Sequence, residues 1–161
     1  MLNFMQKNKR ALAFASAALL ILTLCLSISP SIVSAASAFN QTMASSYNSQ
    51  SGVQLESSSE GGQNVAFIDN GDYIVFNNVD FGSGANSIDV RVASNNSGGS
   101  IEVRLDSLNG TLAGTVAVPG TGGWQSWQTK SGSISGATGV HTVYLKFTGG
   151  TGNLFNILWF K

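Results

Sequence analysis

Alternation of apolar and polar residues with a period of two most constrains the fold of this chain. Because successive side chains of a strand point to opposite faces, such runs predict half-buried β-strands. The clearest are "SIDVRVAS", "SIEVRLD" and "HTVYLKFT". Their predicted inward positions are Ile88, Val90 and Val92, then Ile101, Val103 and Leu105, then Val143, Leu145 and Phe147. The intervening "NNSGG" predicts that the first two runs pair as a hairpin with opposite charges across the strands.

Six further segments have the composition of strands, and turn sequences such as "DNGD" and "GSGAN" separate them. They are "GVQLES", "NVAFID", "DYIVFNNV", "GTLAGTVAV", "WQSWQTKSGSI" and "LFNILWF". A 3.6-residue apolar period does not occur, so no helix is expected. About nine short strands at this spacing predict an all-β fold, an antiparallel β-sandwich of jelly-roll type.

The N-terminal segment 1–38 has the pattern of a secretory signal peptide. Three basic residues precede an uncharged apolar segment at 11–26, and small residues follow it. Signal peptidase sites have such small residues, so cleavage is predicted after Ala35 or Ala38. An uncleaved membrane anchor is the alternative, which the short apolar segment disfavours. We therefore expect a secreted protein.

The remaining residues, 39–161, form one predicted domain, large enough to bury its own core. The only cysteine, Cys25, lies in the predicted leader, so disulfides and thiol chemistry are not expected. Without the leader, five basic residues face eight acidic ones, a net charge of −3. Nucleic acid is therefore an improbable partner, and we expect a monomer that does not contact the membrane after cleavage.

Catalytic patterns are weak in this sequence. The single histidine, His141, opens a predicted strand, and no nucleophile-elbow sequence accompanies it. Paired carboxylates are the main enzymatic alternative, because glycoside hydrolysis needs only two. The candidate acids are Glu56, Glu60, Asp69 and Asp72. The last two flank Asn70-Gly71, a turn sequence, and are more simply turn formers. We therefore predict that the protein is not an enzyme.

Aromatic residues beside turns are the most distinctive remaining feature. In "PGTGGWQSWQT", Trp124 directly follows a glycine-rich turn, and Trp127 stands three residues later. Turns lie at the surface, where an aromatic ring can stack on the apolar face of a sugar. We predict that Trp124 is displayed, whereas Trp127 and Trp159 serve packing, Trp127 as an interior ring.

An ordered series of segments resembles the family 6 carbohydrate-binding modules. They include "GGQNVAFIDNGDYIVF", "GGSIEVRLDSLNGTLAGTVAVPGTGGWQSW" and "LFNILWF", and the resemblance runs from about residue 47 to residue 160. It implies a β-sandwich that binds plant polysaccharides and is commonly joined to a secreted glycoside hydrolase. The expected ligand is xylan, with cellulose or mixed-linkage glucan as further candidates. The alternatives are a hydrolase and a secreted adhesion module for other glycans or protein.

The resemblance also implies the ligand residues. Two rings that clamp a sugar correspond to Phe67 and Trp124, and a hydrogen-bonding amide corresponds to Asn156. A carboxylate in the same cleft corresponds to Glu56, and Tyr73 matches an aromatic position of a second site on the concave face. Strand alternation by itself would place Phe67 in the core, so the two interpretations disagree at that residue.

A structural calcium site of the family is predicted to be absent. The resemblance implies three acidic ligands at positions that here hold Met43, Ser45 and Leu158. Calcium requires several oxygen ligands carrying formal negative charge, which these residues lack. We expect packing between Met43 and Leu158 in place of the ion, and no cofactor.

Overall fold

The computed structural model of the protein describes residues 34–161. The predicted leader therefore lies outside the described residues, except for its last five positions. Among the described residues, no helix is long and apolar enough to cross a membrane. The twelve strands are β1 (Ala36–Ser37), β2 (Thr42–Met43), β3 (Ser49–Ser51), β4 (Gln54–Ser57), β5 (Gln63–Ala66), β6 (Tyr73–Asp80), β7 (Ser87–Ala93), β8 (Gly98–Leu105), β9 (Thr111–Pro119), β10 (Gln128–Ser133), β11 (Val140–Gly149) and β12 (Asn156–Phe160). One 3-10 turn, Ala44–Ser46, follows β2.

The strands form two sheets, which we call sheet 1 and sheet 2. Sheet 1 has the order β1-β6-β11-β8-β9, with β3 also beside β6. Sheet 2 has the order β10-β7-β12-β5-β4, with β2 also beside β12. All pairings are antiparallel except that of β1 with β6. The prediction of an all-β sandwich is confirmed, and each predicted run contains one strand.

The core lies between the two sheets, and all nine predicted inward positions are buried in it. Phe147 of β11 meets Phe155 edge to face, with ring centroids 5.6 Å apart. Burying one such apolar side chain contributes about 1.5–3 kcal/mol. Alternation therefore identified the core face of these strands correctly.

The predicted hairpin between β7 and β8 is wrong. β7 pairs with β10 and β12, whereas β8 pairs with β9 and β11, so the connection crosses from one sheet to the other. Both strands still turn an apolar face to the same core, from opposite sides. The predicted cross-strand charge pairs are also absent from the described residues, because Arg91 binds Glu60 and Arg104 binds Glu102 of its own strand.

Strand β1 lies within the last residues of the predicted leader. Ala36 and Ser37 align in parallel with Val79 and Asp80 of β6. The amide of Ala38 donates to the carbonyl oxygen of Asp80 at 2.9 Å. The folded module therefore includes residues that cleavage after Ala38 would remove.

His141 is the second residue of β11, as the strand-end interpretation predicts. Its Nδ1 lies 2.9 Å from a carboxylate oxygen of Asp106, and its Nε2 lies 3.0 Å from the carbonyl oxygen of Thr138. The hydrogen bond from His141 holds the pKa of Asp106 below its usual value. Both ring nitrogens thus contact groups of neighbouring loops, and neither faces a serine hydroxyl.

Candidate functional site

A small cleft opens among the loops at one end of the sandwich. Its volume is about 170 Å³, and its lining residues are Glu56, Ala66, Phe67, Trp124, Asn153 and Asn156. These residues come from β4, the end of β5, the β9–β10 connection and the start of β12. The structure thus brings together all four residues that the sequence nominated for the ligand cleft.

Phe67 is displayed because the backbone reverses at this residue. Strand β5 ends at Ala66, and Phe67 has a φ of 56°, in the left-handed region. Its side chain is 45% exposed, whereas the next residue, Ile68, is fully buried. An L-residue in this conformation costs about 1–2 kcal/mol, a strain that is typical of functional positions. The core position that strand alternation predicts for Phe67 is therefore wrong.

The glycine-rich turn before Trp124 is anchored to Ser94. The carbonyl oxygen of Ser94 accepts backbone N–H groups from Thr121 at 2.8 Å, Gly122 at 3.1 Å and Gly123 at 3.3 Å. Gly122 has a φ of 90°, which glycine adopts without strain. The predicted strand over 124–134 begins only at residue 128, so half-buried Trp124 lies in a loop. The backbone hydrogen bonds to Ser94 thus anchor the turn that precedes Trp124.

Asn156 and Glu56 form the polar floor of the cleft. Asn156, the first residue of β12, is only 3% exposed. Its Nδ2 donates to Oε1 of Glu56 at 2.7 Å and to the carbonyl oxygen of Trp124 at 2.8 Å. One amide therefore fixes both the carboxylate and the loop that presents the tryptophan.

Two further amides support this floor, and the sequence analysis missed both. Nε2 of Gln125 donates to Oε1 of Glu56 at 2.9 Å, and Nδ2 of the buried Asn64 approaches the same oxygen at 3.2 Å. Asn64 occupies a buried position of β5 beside Val65, where an amide is unexpected. This burial is visible only in the structure, so no sequence signal marked Asn64, and as a buried polar group it requires the partners that it has.

The other two tryptophans lie outside the cleft lining. Trp127 is half-buried, so its predicted interior position is wrong. Its Nε1 donates to Ser59 and to Oε1 of Gln125, each at 3.1 Å, which joins two surface loops. Trp159 is also half-buried, opposite Met43 and Arg91 on the outer face of sheet 2.

Tyr73 lies on β6 of sheet 1 and is not among the residues that line the cleft. Its ring centroid is 6.1 Å from that of Tyr144 on β11. The two half-buried rings form an aromatic pair on the outer face of the sheet, and Tyr144 is a partner that the sequence analysis did not identify.

The four candidate carboxylates do not form a catalytic pair in the cleft. Arg91 binds Glu60 and holds the pKa of Glu60 below its usual value through this hydrogen bond. Asp72 accepts the backbone amide of Asp69 at 2.8 Å, as a turn former does. Glu56 is the one carboxylate among the lining residues. Glycoside hydrolysis would require a second acid facing it.

The residues at the family's calcium positions fit the ion poorly. Met43 supplies a thioether, Leu158 is an apolar side chain that is 3% exposed, and only Ser45 offers a side-chain oxygen. Calcium prefers six to eight oxygen ligands, several of them charged. Within residues 34–161, no group of three or more histidine, cysteine, aspartate or glutamate side chains is placed to hold a metal.

The register at this place is consistent with local apolar packing. Met43 aligns with Trp159, while Ile157 and Trp159 align with successive residues of β7. Leu158 is therefore the extra residue of a β-bulge, and it is buried outside the main core cluster. The expected packing between Met43 and Leu158 stays a prediction.

Comparison with known proteins identifies close relatives. A segment of 96 residues is 57% identical to an arabinoxylan arabinofuranohydrolase of Bacillus subtilis, covering 58% of this chain and 18% of the relative. The chain thus spans about a fifth of the length of the curated relatives it matches.

Two solved structures match nearly over their full lengths. A family 6 carbohydrate-binding module from Clostridium cellulolyticum in complex with xylose is 54% identical, with a TM-score of 0.77 over 78% of this chain and 97% of that one. A β-1,3-glucan-binding module of the same family from Bacillus halodurans is 42% identical, with a TM-score of 0.76 over 78% and 96%. The model of carbohydrate-binding module family 6 matches residues 43–161. The chain therefore belongs to family 6 of the carbohydrate-binding modules, which bind carbohydrate without catalysing its breakdown.

Proposed function

We propose that this module binds xylan or a related β-1,4-linked chain in the cleft at the loop end of the sandwich. Phe67 and Trp124 stack on a single pyranose, while Asn156 and Glu56 bind its hydroxyl groups. The observation that carries the proposal is the left-handed backbone of Phe67, which holds an aromatic ring in solvent across the cleft from the tryptophan loop. A sugar has an apolar C–H face and a polar rim, and this cleft offers a partner for each.

The expected affinity is modest. Two stacking contacts and a few hydrogen bonds at a solvent-exposed site give roughly 4–7 kcal/mol, a Kd between about 1 mM and 10 µM. A cleft of about 170 Å³ accommodates one sugar ring more readily than several. Most of the binding energy should therefore come from one sugar.

The choice of xylan is supported by the relatives. The similar structure from Clostridium cellulolyticum contains xylose, and the relative from Bacillus subtilis is an arabinoxylan arabinofuranohydrolase. The relative from Bacillus halodurans binds β-1,3-glucan, so cellulose and mixed-linkage glucan remain ligands to compare directly.

The test is calorimetric titration with xylotetraose. Trp124→Ala is expected to weaken binding about 10- to 100-fold, because an aromatic contact contributes about 1.5–3 kcal/mol. Trp159→Ala is the matched control, since it removes a half-buried ring from the outer face of sheet 2. Unchanged binding in a folded Trp124→Ala variant would contradict the proposal that this cleft binds the ligand. Residual binding that disappears with Tyr73→Ala would assign a second site to the aromatic pair on sheet 1.

We further propose that the leader is removed after Ala35 and that the module acts outside the cell beside a glycoside hydrolase for the same substrate. Strand β1 supports this cleavage site because it begins at Ala36. The relative from Bacillus subtilis supports the enzymatic partner, because there the matching segment is 18% of an arabinoxylan-degrading enzyme. Mass spectrometry of the protein recovered from culture medium would identify the mature N-terminus, and a start at Phe39 would overturn this choice.

A further inference from the structure

One oxygen of the Glu56 carboxylate receives three amide donors. Oε1 accepts from Asn156 at 2.7 Å, from Gln125 at 2.9 Å and from Asn64 at 3.2 Å. A carboxylate accepts hydrogen bonds and cannot donate them when ionised. Each of the three amides must therefore turn its NH₂ group toward Glu56, which fixes their orientations. Oε2 of Glu56 has no hydrogen-bond partner among residues 34–161.

The same arrangement uses both donor sites of Asn156. Its second N–H bonds the carbonyl oxygen of Trp124 at 2.8 Å, another group that can only accept. Within residues 34–161, the amide oxygen Oδ1 is the one polar atom of this side chain that makes no hydrogen bond. No buried side-chain nitrogen or oxygen among the described residues is unpaired, so Oδ1 must reach the surface of the cleft.

We propose that Gln125 and Asn64 are positioning residues that hold the cleft floor as a pair of acceptors. Oε2 of Glu56 and Oδ1 of Asn156 each accept a hydrogen bond from a hydroxyl group of the bound pyranose. This inference rests on the proposed function. The floor recognises free hydroxyl groups as donors, and it therefore disfavours sugars whose contacted hydroxyls are esterified or etherified. Such a substituent would leave a buried acceptor unpaired.

A substitution at Gln125 can remove the hydrogen bond that its side chain donates and keep the hydrogen bonds that it accepts. Its Oε1 accepts the backbone amide of Ser59 at 2.8 Å and Nε1 of Trp127 at 3.1 Å, while its Nε2 donates to Glu56. A glutamate at this position keeps both accepted bonds. It replaces the donated bond with repulsion between two carboxylates.

Few charged groups lie on the elements that contact Gln125. Glu56 on β4 is its one ionisable hydrogen-bond partner, because its other bonds reach Ser57, Ser59, Asn64 and Trp127. Glu60 lies in the β4–β5 loop, which also contains Ser59, and it is paired with Arg91 of β7. Two carboxyl groups sharing one site raise the pKa of one of them strongly, so a glutamate at 125 should bind a proton in mildly acidic solution.

The experiment measures xylotetraose binding by calorimetry at about pH 5 and about pH 8. Gln125→Glu is expected to bind about 10-fold more weakly than wild type at the higher pH and to recover at the lower pH, because the protonated acid can donate to Glu56. Gln128→Glu, an identical change at an exposed position of β10, is the control. Wild type and control should differ by less than about twofold between the two conditions. Full affinity of Gln125→Glu at both pH values would overturn the positioning role.

A second measurement on the wild-type protein does not depend on the variant folding. The probes are methyl β-xylosides with fluorine in place of one hydroxyl group. At the substituted position, the fluorine can accept a hydrogen bond but cannot donate one. At the two contacted positions, the fluorinated sugar should bind as weakly as the corresponding deoxy sugar in NMR titrations. Fluorinated sugars that bind like the parent xyloside at every position would refute the acceptor assignment. Loss of binding in Trp124→Ala tests the cleft itself, so the two proposals can fail separately.

Discussion

The two ends of the sandwich carry cavities of different character. Strand β12 runs between them, with Asn156 in the cleft at its start and Phe160 in a second cavity at its end. The second cavity is the larger, about 400 Å³ against about 170 Å³. Apolar core side chains such as Phe81 and Val103 form much of its lining. Volume alone would therefore select the end opposite to the proposed cleft.

The two ends also differ in how many side chains fix their carboxylate. In the larger cavity, Asp89 and Lys161 exchange two backbone hydrogen bonds of 2.9 Å, and Ser131 donates to the Asp89 carboxylate at 2.6 Å. In the cleft, three amides donate to one oxygen of Glu56, and the exposed ring of Phe67 lies beside them. A few precisely placed polar groups beside apolar and aromatic walls are typical of a ligand site. We therefore expect changes at the larger cavity to alter mainly stability, and changes at the proposed cleft to alter binding.

Removal of β1, next to the larger cavity, should give the largest change in stability. A mature protein that begins at Phe39 lacks β1 and the hydrogen bond from Ala38 to Asp80, whereas one that begins at Ala36 keeps them. Because each such hydrogen bond contributes about 0.5–1.5 kcal/mol, we expect the shorter form to be less stable by about 1–3 kcal/mol in urea unfolding. Its xylotetraose affinity should be unchanged, and a parallel loss of affinity would show that the two ends are coupled.

Changing Phe67 should separate binding from stability at the opposite end. Phe67→Ala and Phe67→Gly both remove the ring, so both should lose most xylotetraose binding. Glycine adopts a φ of 56° without strain, whereas alanine does not. We therefore expect the glycine variant to be more stable than the alanine variant by about 1 kcal/mol in urea unfolding.

The opposite order of stability would contradict the assignment of strain to Phe67, since glycine elsewhere in a strand is less stable than alanine. Asn78 also has a positive φ, 54°, and lies away from the cleft lining. The pair Asn78→Ala and Asn78→Gly is the matched control, in which the same stability difference should appear without any change in binding.

The sequence predicted the strands better than their partners. Alternation depends only on which face of a strand is buried, and it located Ile88 and Ile101 correctly. The pairing of β7 with β10 and β12 depends on where distant segments meet, which a turn sequence such as "NNSGG" does not report. Local pattern therefore identified the strands and their core faces, but not the sheet that each strand joins.

The site shows the same limit at the level of single residues. The family resemblance nominated Phe67 as a ligand residue, whereas strand alternation placed it in the core. The left-handed backbone at Phe67 decides between the two, and an apolar-polar pattern with a period of two cannot predict it. Gln125 and Asn64 could not be distinguished from other amides of this polar chain, because their role arises from contacts across β4, β5 and the β9–β10 loop. The interior position predicted for Trp127 was wrong because the strand that was expected to contain it begins at Gln128, the residue after it.

The smallest effect is expected at Met43, Ser45 and Leu158, the positions at which the family resemblance implies calcium ligands. Addition of EDTA should leave the melting temperature unchanged, because the side chains of Met43 and Leu158 have no oxygen ligands and Leu158 is already buried. A variant carrying Met43→Glu, Ser45→Glu and Leu158→Asp provides the contrast. Burial of its added charges should lower stability, and calcium should restore part of the loss by neutralising them. A clear fall in the wild-type melting temperature on chelation would show instead that this face binds a metal through other ligands.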